Sequence, residues 1–179
     1  MASPFLGVWS DRKGRRPVLL LCLLGTGAGY FLFGAANSLA LLFLARLLSG
    51  FAGGSITTAQ AYIADVSEPR DRAKNFGLIG AAFGLGFILG PAMGGALSKV
   101  SLSAPAYASG VLSLITFTVA SVLLKESLPP ETRSSRLLRF QDVNPFVQIR
   151  GVLGRADFRE LMLAVFALNF GMASLQTNF

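Results

Sequence analysis

The charged residues that could form and break ion pairs lie mainly in one short stretch near the start of the chain. Residues 7–16 read GVWSDRKGRR, so the carboxylate of Asp11 stands among cations, four positions before Arg15. Glycine permits a tight turn and a close backbone approach. The stretch could be a patterned polar loop, or only a basic anchor beside a membrane span. Its candidate residues are Gly7, Asp11, Arg12, Lys13, Gly14, Arg15 and Arg16.

One further cation, Arg46, lies inside an apolar segment. If a helix begins near Leu39, the rise per residue places Arg46 about 10 Å deep. An arginine at such a depth is costly unless it is hydrogen-bonded or its side chain reaches the interface. No acidic residue of the complete spans can pair with it locally. We therefore predict that backbone carbonyls, water or a helix absent from this chain satisfy Arg46, with extension to the outer interface as the alternative.

A third pattern repeats glycine every four residues. Gly86, Gly90 and Gly94 fall on one helix face, where small residues let a neighbouring helix approach closely. Pro91 removes one backbone donor and bends a helix, and Gly95 follows the last repeat. Plain helix packing would also explain the glycines. It is the interpretation we favour for the similar pairs at positions 25 and 29 and at 50 and 54.

These patterns lie in or beside apolar runs. The chain of 179 residues is 53% hydrophobic, and its charges are confined to a few clusters. A run of about 20 apolar residues is long enough to span a bilayer. Such runs cover residues 17–36, 39–63, 76–97 and 104–124, while residues 1–8 and 161–179 resemble the end and the start of two further helices. The sequence predicts an all-α integral membrane protein with four complete transmembrane helices and two partial ones.

Residues 125–159 differ in character, because they are polar and contain several prolines. We therefore predict a transmembrane bundle over residues 1–124, an interdomain loop over 125–159, and the start of another helix over 160–179. An amphipathic helix at the membrane surface and a disordered basic linker fit the loop equally well. The apolar residues that would share the face of such a helix are Phe146, Ile149, Val152 and Leu153.

The distribution of lysine and arginine predicts the orientation. Residues 9–16, 64–75 and 125–160 hold all of these cations except Arg46 and Lys99. Loops rich in lysine and arginine stay on the cytoplasmic side of a membrane. We therefore expect these three segments to be cytoplasmic, the short connections to face outward, and the protein to lie in the plasma or inner cell membrane.

Composition also argues against several other classes of protein. The net charge of +7 could indicate nucleic-acid binding, but the cations lie between apolar spans, where they determine topology. We therefore expect no nucleic-acid partner, and some contact with membrane lipid. Cys22 is the sole cysteine and histidine is absent, so a His/Cys metal site is not expected. We identify no nucleophile, phosphate-binding loop or paired-carboxylate site, and expect neither a cofactor nor enzymatic activity.

Three motifs together resemble the major facilitator superfamily of transporters. The pattern G-x-x-x-D-R-x-G-R-R from Gly7 resembles the loop between that family's second and third helices. Residues 42–54 resemble its fourth-helix motif, an intramembrane arginine followed four residues later by glycine, although Ser49 stands where the family usually has glutamine. Residues 86–95 match G-x-x-x-G-P-x-x-G-G, the fifth-helix motif of the antiporters. Residues 61–65 and the phenylalanine-rich fifth helix look most like the tetracycline-efflux and drug:proton antiporter branch.

The resemblance implies a partial bundle, from the end of helix two to the start of helix seven of a twelve-helix protein. It also implies roles for the three motifs. Arg15 would pair with Asp65 in a conformational latch, while Asp11 would face the positive end of a helix in the missing C-terminal half. The residues implied in the latch are Gly7, Asp11, Arg12, Gly14, Arg15, Arg16 and Asp65, those in proton coupling are Arg46 and Gly50, and those in the antiporter motif are Gly86, Gly90, Pro91, Gly94 and Gly95.

The function implied by this resemblance is secondary active transport. The expected activity is proton-coupled efflux of small amphipathic molecules or drugs by alternating access, with the substrate, protons, lipid and the missing half as partners. Two alternatives stay open: a metabolite uniporter or symporter of the same fold, and a truncated membrane protein that does not transport.

Overall fold

The computed structural model describes residues 3–133, 160 and 163–171. The chain forms two compact units, Met1–Arg136 and Leu137–Phe179. The described part of the first unit consists of α-helices followed by a short 3-10 turn, Pro130–Thr132. In the second unit, residues 163–171 are helical. The α-helices of the first unit are α1 (Ser3–Lys13), α2 (Arg15–Gly34), α3 (Leu39–Ala52), α4 (Ser55–Val66), α5 (Arg72–Ser98) and α6 (Ala104–Leu123).

Four segments within the described residues are long and apolar enough to cross a membrane. They are Arg15–Gly34, Leu39–Val66, Arg72–Ser98 and Ala104–Leu123, with mean hydropathies between 1.7 and 1.8. Each corresponds to one of the spans predicted from the sequence, so the helical membrane fold and its four complete spans are confirmed. The predicted interdomain loop, including its possible amphipathic helix, lies mostly outside the described residues.

The polar stretch at residues 7–16 is helical, which differs from the loop that the sequence suggested. Helix α1 continues to Lys13 and α2 begins at Arg15, so Gly14 alone separates them. The amide of Gly14 still donates to the carbonyl of Ser10 at 3.0 Å, but its φ of 105° takes the chain out of the right-handed helix. Lysine and arginine are good helix formers, so charge alone did not end α1.

The second predicted span is two helices rather than one. Helix α3 ends at Ala52 and α4 begins at Ser55, with Gly53 and Gly54 between them. Helix α4 continues to Val66, so Asp65 belongs to its last turn and not to the predicted loop over residues 64–75. The connection to α5 is therefore shorter than the sequence suggested.

Helix α2 is the centre of the first unit, because it packs against α1, α3, α4 and α6. Its contact with α1 is a buried apolar cluster of Leu6, Val18 and Cys22, with Trp9 against it. Its contact with α6 includes a hydrogen bond from the Ser113 hydroxyl to the carbonyl of Leu23, 2.9 Å long. These contacts fix α2, and hence the charged residues at its first turn.

Among the described helices, α5 packs mainly against α4 and α6, and none of its residues is buried. Its apolar surface is therefore largely exposed within the described part of the chain.

Candidate functional site

Arg15, the first residue of α2, is the hub of a charged cluster that joins the ends of four helices. Its guanidinium pairs with Asp11 in the last turn of α1, and its Nε lies 3.2 Å from Oδ2 of Asp65 in the last turn of α4. Only 12% of the Arg15 side chain is exposed, whereas its partners Asp11 and Asp65 are 41% and 27% exposed. We call Asp11, Arg15, Arg16, Asp65 and Glu126 the charged cluster.

Ser10 supports Arg15 from α1. Its hydroxyl accepts a hydrogen bond of 2.7 Å from Nη1 of Arg15 and donates one of 2.7 Å to the carbonyl of Gly7. The residue is completely buried. The Arg15 guanidinium is therefore oriented by three partners, Ser10, Asp11 and Asp65, which come from two different helices.

Glu126, which follows α6, lies at the beginning of α2. Its Oε1 accepts hydrogen bonds from the amides of Arg15 at 2.8 Å and Arg16 at 3.5 Å. The first amides of a helix have no partner inside the helix, and a negative charge is favourable there. Glu126 also accepts from the amide of Leu128 at 3.2 Å, and its Oε2 lies 3.9 Å from Nη2 of Arg133.

Sequence reasoning missed Glu126, although one signal could have found it. The residue follows the last complete span directly, and the orientation argument puts that end of the span on the same side as residues 7–16. A carboxylate so placed was an available partner for the exposed amides that begin the following helix. Its exact partner could not be read from the sequence.

Gly14 has a steric role as well as a conformational one. A Cβ atom built on Gly14 would overlap the Glu126 carboxylate and lie 3.1 Å from Nη2 of Arg133. Its φ of 105° is also unfavourable for any residue with a side chain. The tight turn expected from the sequence is therefore also the space into which Glu126 fits.

Arg16 makes a second connection between the start of α2 and the end of α6. Its Nη2 donates to the carbonyl of Ser121 in the last turn of α6, at 2.6 Å. Cations are favourable at a helix C-terminus. The Nε of Arg16 is buried and has no hydrogen-bond partner among the described residues.

The other residues implied in the latch are less closely engaged. Arg12 and Lys13 are exposed, and neither forms an ion pair with another described residue. Gly7 has open space where a side chain would lie, and contributes only its carbonyl to Ser10. The structure thus brings together Asp11, Gly14, Arg15, Arg16 and Asp65, but leaves Arg12 outside.

Arg46 has a partner that the sequence argument did not consider. Its guanidinium carbon lies 4.5 Å from the centre of the Phe33 ring, a distance typical of a cation–π interaction. Residues 35–38 make a short connection between α2 and α3, so Phe33 had to lie near the first turns of α3, and this was a usable signal. Arg46 also lines a cavity of about 210 Å³ with Tyr30, Ser49 and Ser109. Gly50 has no described neighbour within 4 Å of an added Cβ.

The glycines of α5 show no close helix contact within the described residues. A Cβ atom added at Gly86, Gly90, Gly94 or Gly95 would meet nothing within 4 Å. Gly90 and Gly94 line a groove of about 530 Å³ against α6. The close approach predicted from their spacing is not made by another described helix, and the role of the motif stays a prediction.

The cluster can rearrange ion pairs when helices move, which is a recurrent element of conformational switches. Comparisons with known proteins show the family to which the chain belongs. The family model described as Major Facilitator Superfamily matches residues 1–179. The class C tetracycline resistance protein of Escherichia coli is 40% identical over 85% of this chain and 38% of that protein. Multidrug resistance protein 2 of Bacillus subtilis is 29% identical over all of this chain and 45% of that protein.

A solved structure shows the same arrangement of helices. The crystal structure of the human organic anion transporter MFSD10 (TETRAN) matches with a TM-score of 0.72 and 33% identity, over 79% of this chain and 33% of that one. The chain therefore spans less than half of the length of each of these three relatives.

Proposed function

Because this chain belongs to the major facilitator superfamily, we propose that it is part of a proton-coupled exporter of small amphipathic molecules or drugs. The exporter works by alternating access, in which one site is open first to one side of the membrane and then to the other. The tetracycline and multidrug resistance proteins among its relatives support this substrate class.

The observation that carries the proposal is the pairing of Arg15 with both Asp11 and Asp65. These residues come from α2, α1 and α4, so a relative movement of the three helices breaks or forms ion pairs. Such a set can bias the equilibrium between two conformations, because it contributes to only one of them. We assign it the role of a latch on the cytoplasmic side.

The latch also needs a partner outside this chain. Asp11 is 41% exposed and has Arg15 as its described ion-pair partner, so part of its carboxylate is open to a further group. We propose that it faces the N-terminal end of a helix in a C-terminal half, where a positive dipole end would attract it. On this proposal the chain is the larger part of an N-terminal half, and it does not transport alone.

The roles of the remaining candidate residues are proposed from the resemblance of their motifs to those of the family. Arg46 and Gly50 take part in proton coupling, and the motif from Gly86 to Gly95 limits leakage. The open face of α5 is compatible with packing against a helix of the other half, since no described helix covers it.

The test uses the complete transporter, whose limits are first established by reading the coding DNA on both sides of this segment. The protein is reconstituted in vesicles with an imposed pH gradient, and tetracycline is the first substrate to be tried. Substrate movement should require the gradient and should move protons in the opposite direction. Equal movement without a gradient would refute proton coupling and support a uniporter, and an absence of movement for a panel of amphipathic drugs would refute the substrate class.

A further inference from the structure

Glu126 is the residue of the charged cluster that the proposed latch does not yet explain. It makes no described contact with Asp65 or Asp11. Instead it holds backbone amides at the beginning of α2, 2.8 Å from that of Arg15. Its carboxylate therefore acts on the position of Arg15 and not on its charged group.

The ends of α2 and α6 are connected in both directions. Glu126, just beyond α6, accepts from the first amides of α2, while Arg16 of α2 donates to a carbonyl in the last turn of α6. Backbone atoms at the start of α2 and at the end of α6, which lack partners inside their own helices, are thus satisfied by side chains from the other side of the contact. These contacts of Glu126 and Arg16 form a clamp between two helix ends, and none of its hydrogen bonds uses the Arg15 guanidinium.

The clamp depends on the shape of Gly14. A Cβ atom at residue 14 would overlap the Glu126 carboxylate, so Glu126 would have to shift from the place in which it accepts from the amides of α2. A second contact holds the residues that follow α6 against α4, since the hydroxyl of Ser127, next to Glu126, donates to Oδ2 of Asp65 at 3.3 Å. The same short segment therefore touches the first turn of α2 and the carboxylate that Arg15 binds.

We propose that Glu126 is a positioning residue of the latch: seated against Gly14, it fixes the first turn of α2 so that Arg15 can bridge Asp11 and Asp65. The inference rests on the proposed function for its effect on transport. The geometric part, that Glu126 orients Arg15, stands without it. Removal of Glu126 should therefore act through the Arg15–Asp65 pair.

The first experiment measures the geometry in this chain, with Trp9 as its single tryptophan. Trp9 of α1 packs against the buried cluster that includes Val18 in the first turn of α2, so a loosened first turn of α2 should expose its ring. In lipid nanodiscs, Glu126→Ala should increase the quenching of Trp9 fluorescence by acrylamide. Glu126→Gln keeps the acceptor oxygen and should increase it less. Glu131→Ala, which removes an exposed glutamate of the same segment, is the matched control and should leave the quenching unchanged. Unchanged quenching in Glu126→Ala, or an equal increase in Glu131→Ala, overturns the inference.

The second experiment measures exchange by the complete transporter. Hydrogen bonds to a charged group suggest that Glu126→Ala lowers kcat about tenfold with little change in KM. Asp65→Asn should also lower kcat, but should add little in the Glu126→Ala background, because the pair is already lost. Gly14→Ala should lower kcat at least as much as Glu126→Ala, because its added Cβ meets the Glu126 carboxylate and its φ of 105° is unfavourable for any residue with a side chain. A purely structural Glu126 predicts instead a lower thermal midpoint and losses in kcat that multiply.

The two experiments separate failure of this inference from failure of the proposed function. If the unmodified transporter shows no exchange, the proposed function fails, and the Trp9 measurement still tests the orientation of Arg15. If exchange is present but Glu126→Ala and Asp65→Asn act independently on kcat, the latch stands and the role of Glu126 is overturned.

Discussion

Two glycines with the same spacing pattern should respond in opposite ways to the addition of a methyl group. At Gly29 in α2, a Cβ atom would lie 3.1 Å from both the backbone nitrogen and the Cβ of Ser49 in α3. Two of its three nearest atoms belong to the α3 backbone, which cannot move without displacing that helix. At Gly90 in α5, an added Cβ meets nothing within 4 Å.

The expected magnitudes follow from these distances. Overpacking in a closely packed region costs about 1–3 kcal/mol, whereas alanine favours a helix over glycine by about 1 kcal/mol. Gly29→Ala should therefore change the free energy of unfolding by about 0–2 kcal/mol toward instability, and Gly90→Ala by about 1 kcal/mol toward stability. Helix propensity cancels in the difference between the two variants, which should be about 1–3 kcal/mol.

Equilibrium unfolding of this chain by sodium dodecyl sulfate in mixed micelles, followed by Trp9 fluorescence, measures both variants under one condition. Equal destabilisation by Gly29→Ala and Gly90→Ala would refute the reasoning, since it would mean that α5 is as closely packed as α2.

In the complete transporter we expect Gly90→Leu to insert normally and yet lose coupled exchange. A loss of folded protein in proportion to exchange would instead indicate plain packing.

Three further predictions concern orientation, the latch and Arg46. In a Cys22→Ser background, the variants Glu68→Cys and Glu131→Cys should be labelled by a thiol reagent only from the cytoplasm, and Ser101→Cys only from outside. Labelling of Glu131→Cys and Ser101→Cys from the same side would overturn the topology. In the complete transporter, Arg15→Ala and Asp65→Asn should each reduce exchange far more than expression, with a coupling free energy of about 0.5–3 kcal/mol in a double-mutant cycle, and strictly additive effects would exclude the pair. Phe33→Leu should destabilise the chain in the same detergent titration by about 0.5–2 kcal/mol more than it does in an Arg46→Met background, and an equal effect in both backgrounds would exclude the cation–π contact.

The spans could be predicted from the sequence because they depend on composition alone. Apolar runs of sufficient length specify membrane helices, and the ends of each predicted run lie within three residues of the observed ends, apart from the start of α5 at Arg72, which is four residues earlier than predicted. The break at Gly53 and Gly54 was not predicted, because glycine pairs also occur inside membrane helices as packing sites.

Positions within the site were harder to predict, because they depend on contacts between distant parts of the chain. The pairing of Arg15 with Asp65 was expected only from resemblance to a family; nothing in the spacing of two residues fifty positions apart requires it. Glu126 is still further from Arg15, and its seat depends on where α6 ends relative to the first turn of α2. At Gly14 the sequence indicated a turn, but it did not indicate that the Glu126 carboxylate lies where a side chain of residue 14 would be.

Arg15, at the start of α2, and Arg46, which lies near the end of α2, should respond differently when the helices move. Arg46 lies over Phe33, and the helices that carry these residues are held together where Gly29 meets the backbone of Ser49. That contact leaves little freedom for α2 and α3 to separate. Arg15, in contrast, binds residues of α1 and α4, and α4 is separated from α3 by Gly53 and Gly54. We therefore expect α2 and α3 to move as one body in a conformational change, and the ion pairs of the charged cluster to be the contacts that break.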